Sequence, residues 1–237
     1  MSEHSNTPET PAIQPRHVFS SLPKYAAGKP PTPVEGLKQY KLSSNENPHG
    51  PIPEVARILA EFDATHRYPD PLSTKLRTAL AHHLGVDAHN IVTGAGSLGA
   101  LNQILKAFAG ASLDGTQDEV IYAWRSFEAY PILVGLLGAK SVQIPNLPNG
   151  AHDLNAMAQA VTDRTRVILV CTPNTPTGPA VTEAQMREFL TKIPENVVVV
   201  IDEAYYEFCT ASTVPAGQNA PVNGLNLLND HPNVIVL

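Results

Sequence analysis

Two adjacent carboxylates, Asp202 and Glu203, end the unbroken apolar run Val197-Val198-Val199-Val200-Ile201. Such a run of β-branched residues reads as a strand buried on both faces, as in a parallel sheet covered by helices. Acids at the exit of that strand stand where open α/β folds bind ligands. Three uses fit Asp202 there: a ligand for Mg²⁺ in an NTPase, a partner for the protonated ring nitrogen of a pyridine cofactor, or a cap on a following helix. The first needs a loop of the form G-x-x-x-x-G-K-[ST]. Gly94-Ala95-Gly96-Ser97-Leu98-Gly99 has the glycine spacing, but Ala100 and Leu101 stand where Lys and Ser/Thr belong. The NTPase reading fails on that pair, and the other two stay open.

The glycine turn has a use of its own. Asn90 to Thr93 reads as a short strand running into it, and Leu98, Leu101, Ile104, Leu105 and Phe108 mark one face of the helix that follows. The N–H groups of Gly96, Ser97 and Leu98 would then form an anion cradle at a helix start, where the helix dipole favours a phosphate. A third polar site follows the apolar strand Val167 to Cys171. The turn Thr172-Pro173-Asn174-Thr175-Pro176-Thr177-Gly178-Pro179 is polar and held rigid by its prolines.

The elements that must position these groups alternate along the chain. Helices are expected over Pro53 to Phe62, Ser73 to Leu84 with Gly85 as a stop, Phe127 to Leu137 with Gly138 as a stop, and Leu154 to Val161. Thr182-Glu183-Ala184-Gln185 is a capping box for a helix reaching Ile193. Strands are expected at Glu119 to Ala123, Ser141 to Ile144, Val167 to Cys171, the Val197 run, and Val234 to Leu237. This alternation predicts a three-layer α/β/α domain with a mainly parallel sheet. Residues 16–50, rich in proline, read as an extended arm and substrate-gate segment. Residues 1–15 are polar and expected to be disordered. Residues 51–237 form the large domain, expected to be incomplete at its C-terminal end.

Composition narrows the function classes. Hydrophobic residues make up 43% of the 237 and charged residues 16%, which suits a packed globular chain. A net charge of -6 argues against a nucleic-acid or anionic-membrane surface. No apolar run has membrane-spanning length, and nothing resembles a signal peptide, so a cytoplasmic protein is expected. Cys171 and Cys209 lie in apolar surroundings and read as buried thiols. The nine histidines form no zinc pattern, and no metal site is expected.

The motifs L-P-K-Y-A-A-G-K, L-S-S-N-E-N-P, R-Y-P-D-P, T-G-A-G-S, S-F-E-A-Y, P-N-T-P-T-G and D-E-A-Y occur in this order from Leu22 onward. Together they resemble fold-type I aminotransferases dependent on pyridoxal 5'-phosphate (PLP), and within them the histidinol-phosphate and aromatic amino acid aminotransferase group. The resemblance implies cofactor-binding roles for Gly96, Ser97 and Leu98 at the phosphate and for Phe127, with Trp124 as competitor, on the ring. It implies that Asp202 pairs with the ring nitrogen and that Tyr205 bonds the phenolic oxygen. Tyr68 would reach the cofactor phosphate of a neighbouring subunit, which implies a homodimer. Tyr25 and Asn47 would line the substrate entrance.

There are two departures from the family pattern. Thr175 stands where the family usually has an Asn before P-T-G whose amide reaches the cofactor's phenolic oxygen; Thr175 and Asn174 are both expected among the cofactor-binding residues, the Thr175 hydroxyl donating with weaker tuning and Asn174 compensating only if the loop shifts. The family's Schiff-base lysine follows a strand corresponding to Val234 to Leu237, and none of Lys24, Lys29, Lys38, Lys41, Lys75, Lys106, Lys140 or Lys192 does. The chain is therefore expected to be the first part of a longer aminotransferase that moves an amino group between histidinol phosphate or an aromatic amino acid and a 2-oxo acid. The alternatives are a PLP lyase or decarboxylase on the same scaffold, and a non-catalytic binding or dimerising module.

Overall fold

The computed structural model describes residues 16–23, 29, 31–41, 44–209 and 220–237. The tail expected to be disordered, residues 1–15, lies outside them. The chain divides into two compact units, Lys24–Thr93 and Met1–Pro23 with Gly94–Leu237.

Among its described residues the smaller unit carries two α-helices. Helix α1, Pro53–Glu61, has proline at its tolerated first position, and Arg57 pairs with Glu54 and Glu61 along one face. Helix α2, Thr74–Leu84, is set up by Asp70, whose carboxylate accepts the N–H groups of Leu72 and Thr74 at 3.0 and 2.7 Å. Gly85 ends it in the left-handed region at φ +69. The strand expected over Asn90 to Thr93 is absent. Asn90 closes a 3-10 turn, Ala88–Asn90, and Ile91 is extended, but no ladder partner lies beside it among the described residues. Extended backbone without a neighbour to bond is not a strand.

In the larger unit the sheet sets the architecture. Its strands are β1 (Glu119–Trp124), β2 (Lys140–Pro145), β3 (Thr165–Cys171), β4 (Val198–Asp202) and β5 (Val234–Val236). They lie in the order β2-β1-β3-β4-β5, every neighbouring pair parallel. Successive side chains point to opposite faces, so apolar runs bury two separate layers. Ile121, Ala123, Ile168, Val170, Val199 and Ile201 face one core with Met157 of α5 (Leu154–Gln159) and Met186 and Phe189 of α6 (Glu183–Leu190). Val120, Tyr122, Val167, Leu169 and Val200 face the other, against Leu101 and Leu105 of α3 (Gly96–Phe108) and Tyr130 and Val134 of α4 (Ala129–Leu137). The result is the expected three-layer α/β/α arrangement, with a sheet that is parallel throughout.

Local signals act as expected. Gly138 stops α4 at φ +80, and Thr182 and Gln185 cap α6 reciprocally. Among the described residues no helix is long and apolar enough to cross a membrane.

Candidate active site

Parallel strands end on the same edge, and the chain reverses its direction of travel across the sheet between β1 and β3. That reversal opens a crevice at the carboxyl ends of the strands. Phe127 follows β1, the polar turn follows β3, and Asp202 ends β4.

Asp202 is 5% exposed. Its Oδ2 accepts the Tyr130 hydroxyl at 2.5 Å, and among the described residues its Oδ1 accepts only the Ala204 N–H at 3.3 Å. Burial raises its pKa above the ordinary carboxylate value, and the Tyr130 hydrogen bond opposes that shift. Among the described residues no cation contributes. Burial pushes Glu203, next in the chain, to about 7; its Oε1 accepts the Gly224 N–H at 2.6 Å. The Cys171 thiol, in register with Asp202 on β3, is pushed up to about 11 by burial and the nearby carboxylate. It is an inert packing group, as its apolar surroundings in the sequence imply.

Across the crevice, the loops after β1 and β3 are bonded directly. Ser126 Oγ donates to Asn174 Oδ1 at 2.7 Å, while Asn174 Nδ2 donates to the Arg125 carbonyl at 2.9 Å and to Thr177 Oγ1 at 2.7 Å. The Thr177 hydroxyl donates to the Gly150 carbonyl at 2.7 Å. Asn174 is 2% exposed and its amide is fully engaged within the protein. It latches the loops together, and Thr175 beside it is half-buried.

Phe127 is half-buried, its ring 5.6 Å from that of Tyr130 at 88°. Its competitor Trp124 is committed elsewhere, edge-on to Tyr122 at 6.2 Å with the Arg125 guanidinium over its ring at 5.0 Å. Tyr205 is half-buried one turn beyond Asp202, 6.1 Å from the Phe208 ring.

Helix α3 begins at Gly96 with no side chain capping it. Gly94 is needed there by close approach: a Cβ at that position would lie 2.5 Å from the Ala100 nitrogen. Gly96, at φ +66, supplies the left-handed residue that turns the chain into the helix. Gly96, Ser97 and Leu98, which open α3, are exposed, and the first N–H groups of a helix have no acceptor within it. Asn47 and the fully exposed Tyr68 belong to the smaller unit, where Asn47 Oδ1 accepts the His49 N–H at 3.0 Å. Tyr25 lies outside the described residues.

Sequence reasoning assigned no role to Ser126, Tyr130 or Thr177. All three sit inside the quoted motifs, and Tyr130 falls three residues after Phe127, at the spacing that puts two side chains on one helical face.

Comparison with known proteins agrees with this geometry. The family model for aminotransferase class I and II matches residues 38–237. The chain is 45% identical over 223 residues to an aromatic amino acid aminotransferase of Streptomyces coelicolor, and 46% identical over 223 residues to one of Thermobifida fusca. Each alignment covers 94% of this chain and 58% of the relative. The chain thus spans 58% of the length of these relatives. Among solved structures, histidinol-phosphate aminotransferase from Sinorhizobium meliloti in complex with pyridoxal-5'-phosphate superposes with a TM-score of 0.69 at 27% identity, covering 81% of this chain and 49% of that one.

Proposed function

The chain belongs to the class I and II aminotransferase family, and on that premise we propose that it serves PLP-dependent transamination of an aromatic amino acid with a 2-oxo acid. The observation that carries the reading is Asp202, a buried carboxylate at a strand end with no cation beside it among the described residues. A buried charge without a partner is costly, so a site built this way fits a cationic ring nitrogen brought by a ligand. The uncapped start of α3, pressed close at Gly94, likewise fits a phosphate.

PLP, when bound, supplies an electron sink for the substrate α-carbon. Asp202 keeps the ring nitrogen protonated. Gly96, Ser97 and Leu98 hold the phosphate through backbone N–H groups. Phe127 stacks on the ring, and Thr175 and Tyr205 donate to the phenolic oxygen. Asn174, bonded here to Ser126, the Arg125 carbonyl and Thr177, holds Thr175's loop and reaches the phenolic oxygen only if that loop shifts. Tyr68 serves the partner subunit of a homodimer, and Asn47 and Tyr25 line the entrance to the substrate. The aromatic preference rests on the relatives at 45% and 46% identity.

The test is amino-group exchange by the protein as its source cell makes it. Phenylalanine, tyrosine and histidinol phosphate are offered as donors with several 2-oxo acids, and decarboxylation is followed in parallel. Aromatic donors are expected to exchange fastest. Carbon dioxide release without exchange would sink the assignment.

A further inference from the structure

Tyr130 is the group in this crevice that neither the motif reading nor the proposed chemistry uses. It sits in the first turn of α4, fully buried, 72 residues before the acid it bonds. Its ring is held edge-on to Tyr122 at 5.6 Å and 67° and to Phe127 at 5.6 Å and 88°. Such a ring cannot swing away, so its hydroxyl direction is fixed by packing.

We propose that Tyr130 is the positioning residue for Asp202: its hydroxyl holds Oδ2 and leaves Oδ1, bound among the described residues only by the long Ala204 contact, as the oxygen offered to a cationic ligand. This rests on the cofactor reading above. The proton of the pair belongs to the phenol, because burial and the adjacent carboxylate together make the phenolate far harder to form. Asp202 is therefore a pure acceptor at that contact. Burial pulls the other way, toward a protonated acid that could not hold a cation. Among the described residues three titratable groups couple electrostatically to Asp202: Tyr130 from α4, Cys171 from β3 and Glu203 from its own strand end. Of these, Tyr130 is the one that donates a short hydrogen bond to it. A Tyr there that merely filled the core would stack equally well without its oxygen.

The experiment is a cycle of Tyr130→Phe, Asp202→Asn and the double variant on the full chain, with three readouts. PLP affinity is measured against pH by quenching of tryptophan fluorescence. The Asp202 carboxyl band is titrated by infrared difference in ligand-free protein. The Tyr130 hydroxyl proton is sought at low field by proton NMR, with Asp202→Asn as its control, which reads the bond without touching the aromatic stack. Tyr130→Phe is expected to weaken PLP binding on the order of tenfold at neutral pH. It should raise the acid limb of the affinity profile and the infrared midpoint by about one unit. The same change in the Asp202→Asn background should cost nothing further. Unchanged affinity and an unmoved infrared midpoint overturn the proposal, as does a hydroxyl signal that ignores Asp202→Asn. If the wild-type chain binds no PLP while the infrared midpoint still moves in Tyr130→Phe, the cofactor reading fails and the coupling of Tyr130 to Asp202 stands.

Discussion

At the scale of single residues, polar groups at the strand ends divide into those that face a ligand and those that hold the facing groups in place. Asn174 belongs to the second kind. Its amide oxygen and both amide protons are committed to Ser126, the Arg125 carbonyl and Thr177, all in the loops it joins. Asn174→Ala strips partners from a buried hydroxyl and a backbone carbonyl at once. The expected loss is about 2–3 kcal/mol of stability, read by urea titration. Ser126→Ala, which leaves the two Asn174 donors satisfied, should cost less. Equal losses would show that the latch is not centred on Asn174. The sequence announced that this turn is rigid and polar. It could not announce which residue turns inward, because Ser126 and Asn174 lie 48 positions apart and meet only once β1 and β3 are paired. The same holds for Tyr130 and Asp202.

At the scale of elements, local chemistry was legible wherever it was local. The capping box at Thr182, the glycine stops at 85 and 138 and the apolar runs of β1, β3 and β4 each act within a few residues, so reading them requires no knowledge of neighbours. The extended segment before the glycine turn was misread as a strand for the opposite reason, since a strand is defined by what lies beside it. The turn itself gives a prediction that separates two reasons for glycine. At position 94 the obstacle is space, with backbone atoms of Gly99 and Ala100 at 2.8 and 2.5 Å from an added Cβ. At position 96 space is open and the obstacle is the backbone angle alone. Gly96→Asn should therefore be milder than Gly96→Ala, because Asn accepts the left-handed region, with alanine costing about 1–2 kcal/mol. Gly94→Ala and Gly94→Asn should be alike in damage, each about 1–3 kcal/mol or more, since either adds the same Cβ against rigid backbone. Thermal melting of the four variants decides it. A rescue of position 94 by Asn would refute the packing explanation.

At the scale of the whole molecule, stability carries the signature of acids buried at the ligand-binding end of the sheet. Glu203 bonds the Gly224 N–H and so ties the end of β4 to the 3-10 turn, Gly224–Leu227, that precedes β5. Its folded value is raised from 4.5 to about 7 by burial, with Glu207 and Asp202 adding to the shift. Between those two values the folded chain keeps a proton on Glu203 that the unfolded chain has lost. The contribution is fully present below 4.5 and disappears as pH rises through 7. Asp202, raised in the same direction, adds to the fall. The opposite slope comes from carboxylates lowered by their partners, such as Glu119 bonded by Thr162 and Lys140, and it acts in more acid solution. Glu203→Gln retains an acceptor for Gly224 and removes the titration. The wild-type chain should lose on the order of 1–2 kcal/mol across this window, less than the full shift implies because the side chain is only half-buried. The variant should hold nearly level and be the more stable of the two at pH 8. Unfolding by urea at half-unit steps from pH 4.5 to 8 measures both curves. Parallel curves would mean that Glu203 is charged in the folded protein throughout, and that the tie to Gly224 is made by a carboxylate at every pH.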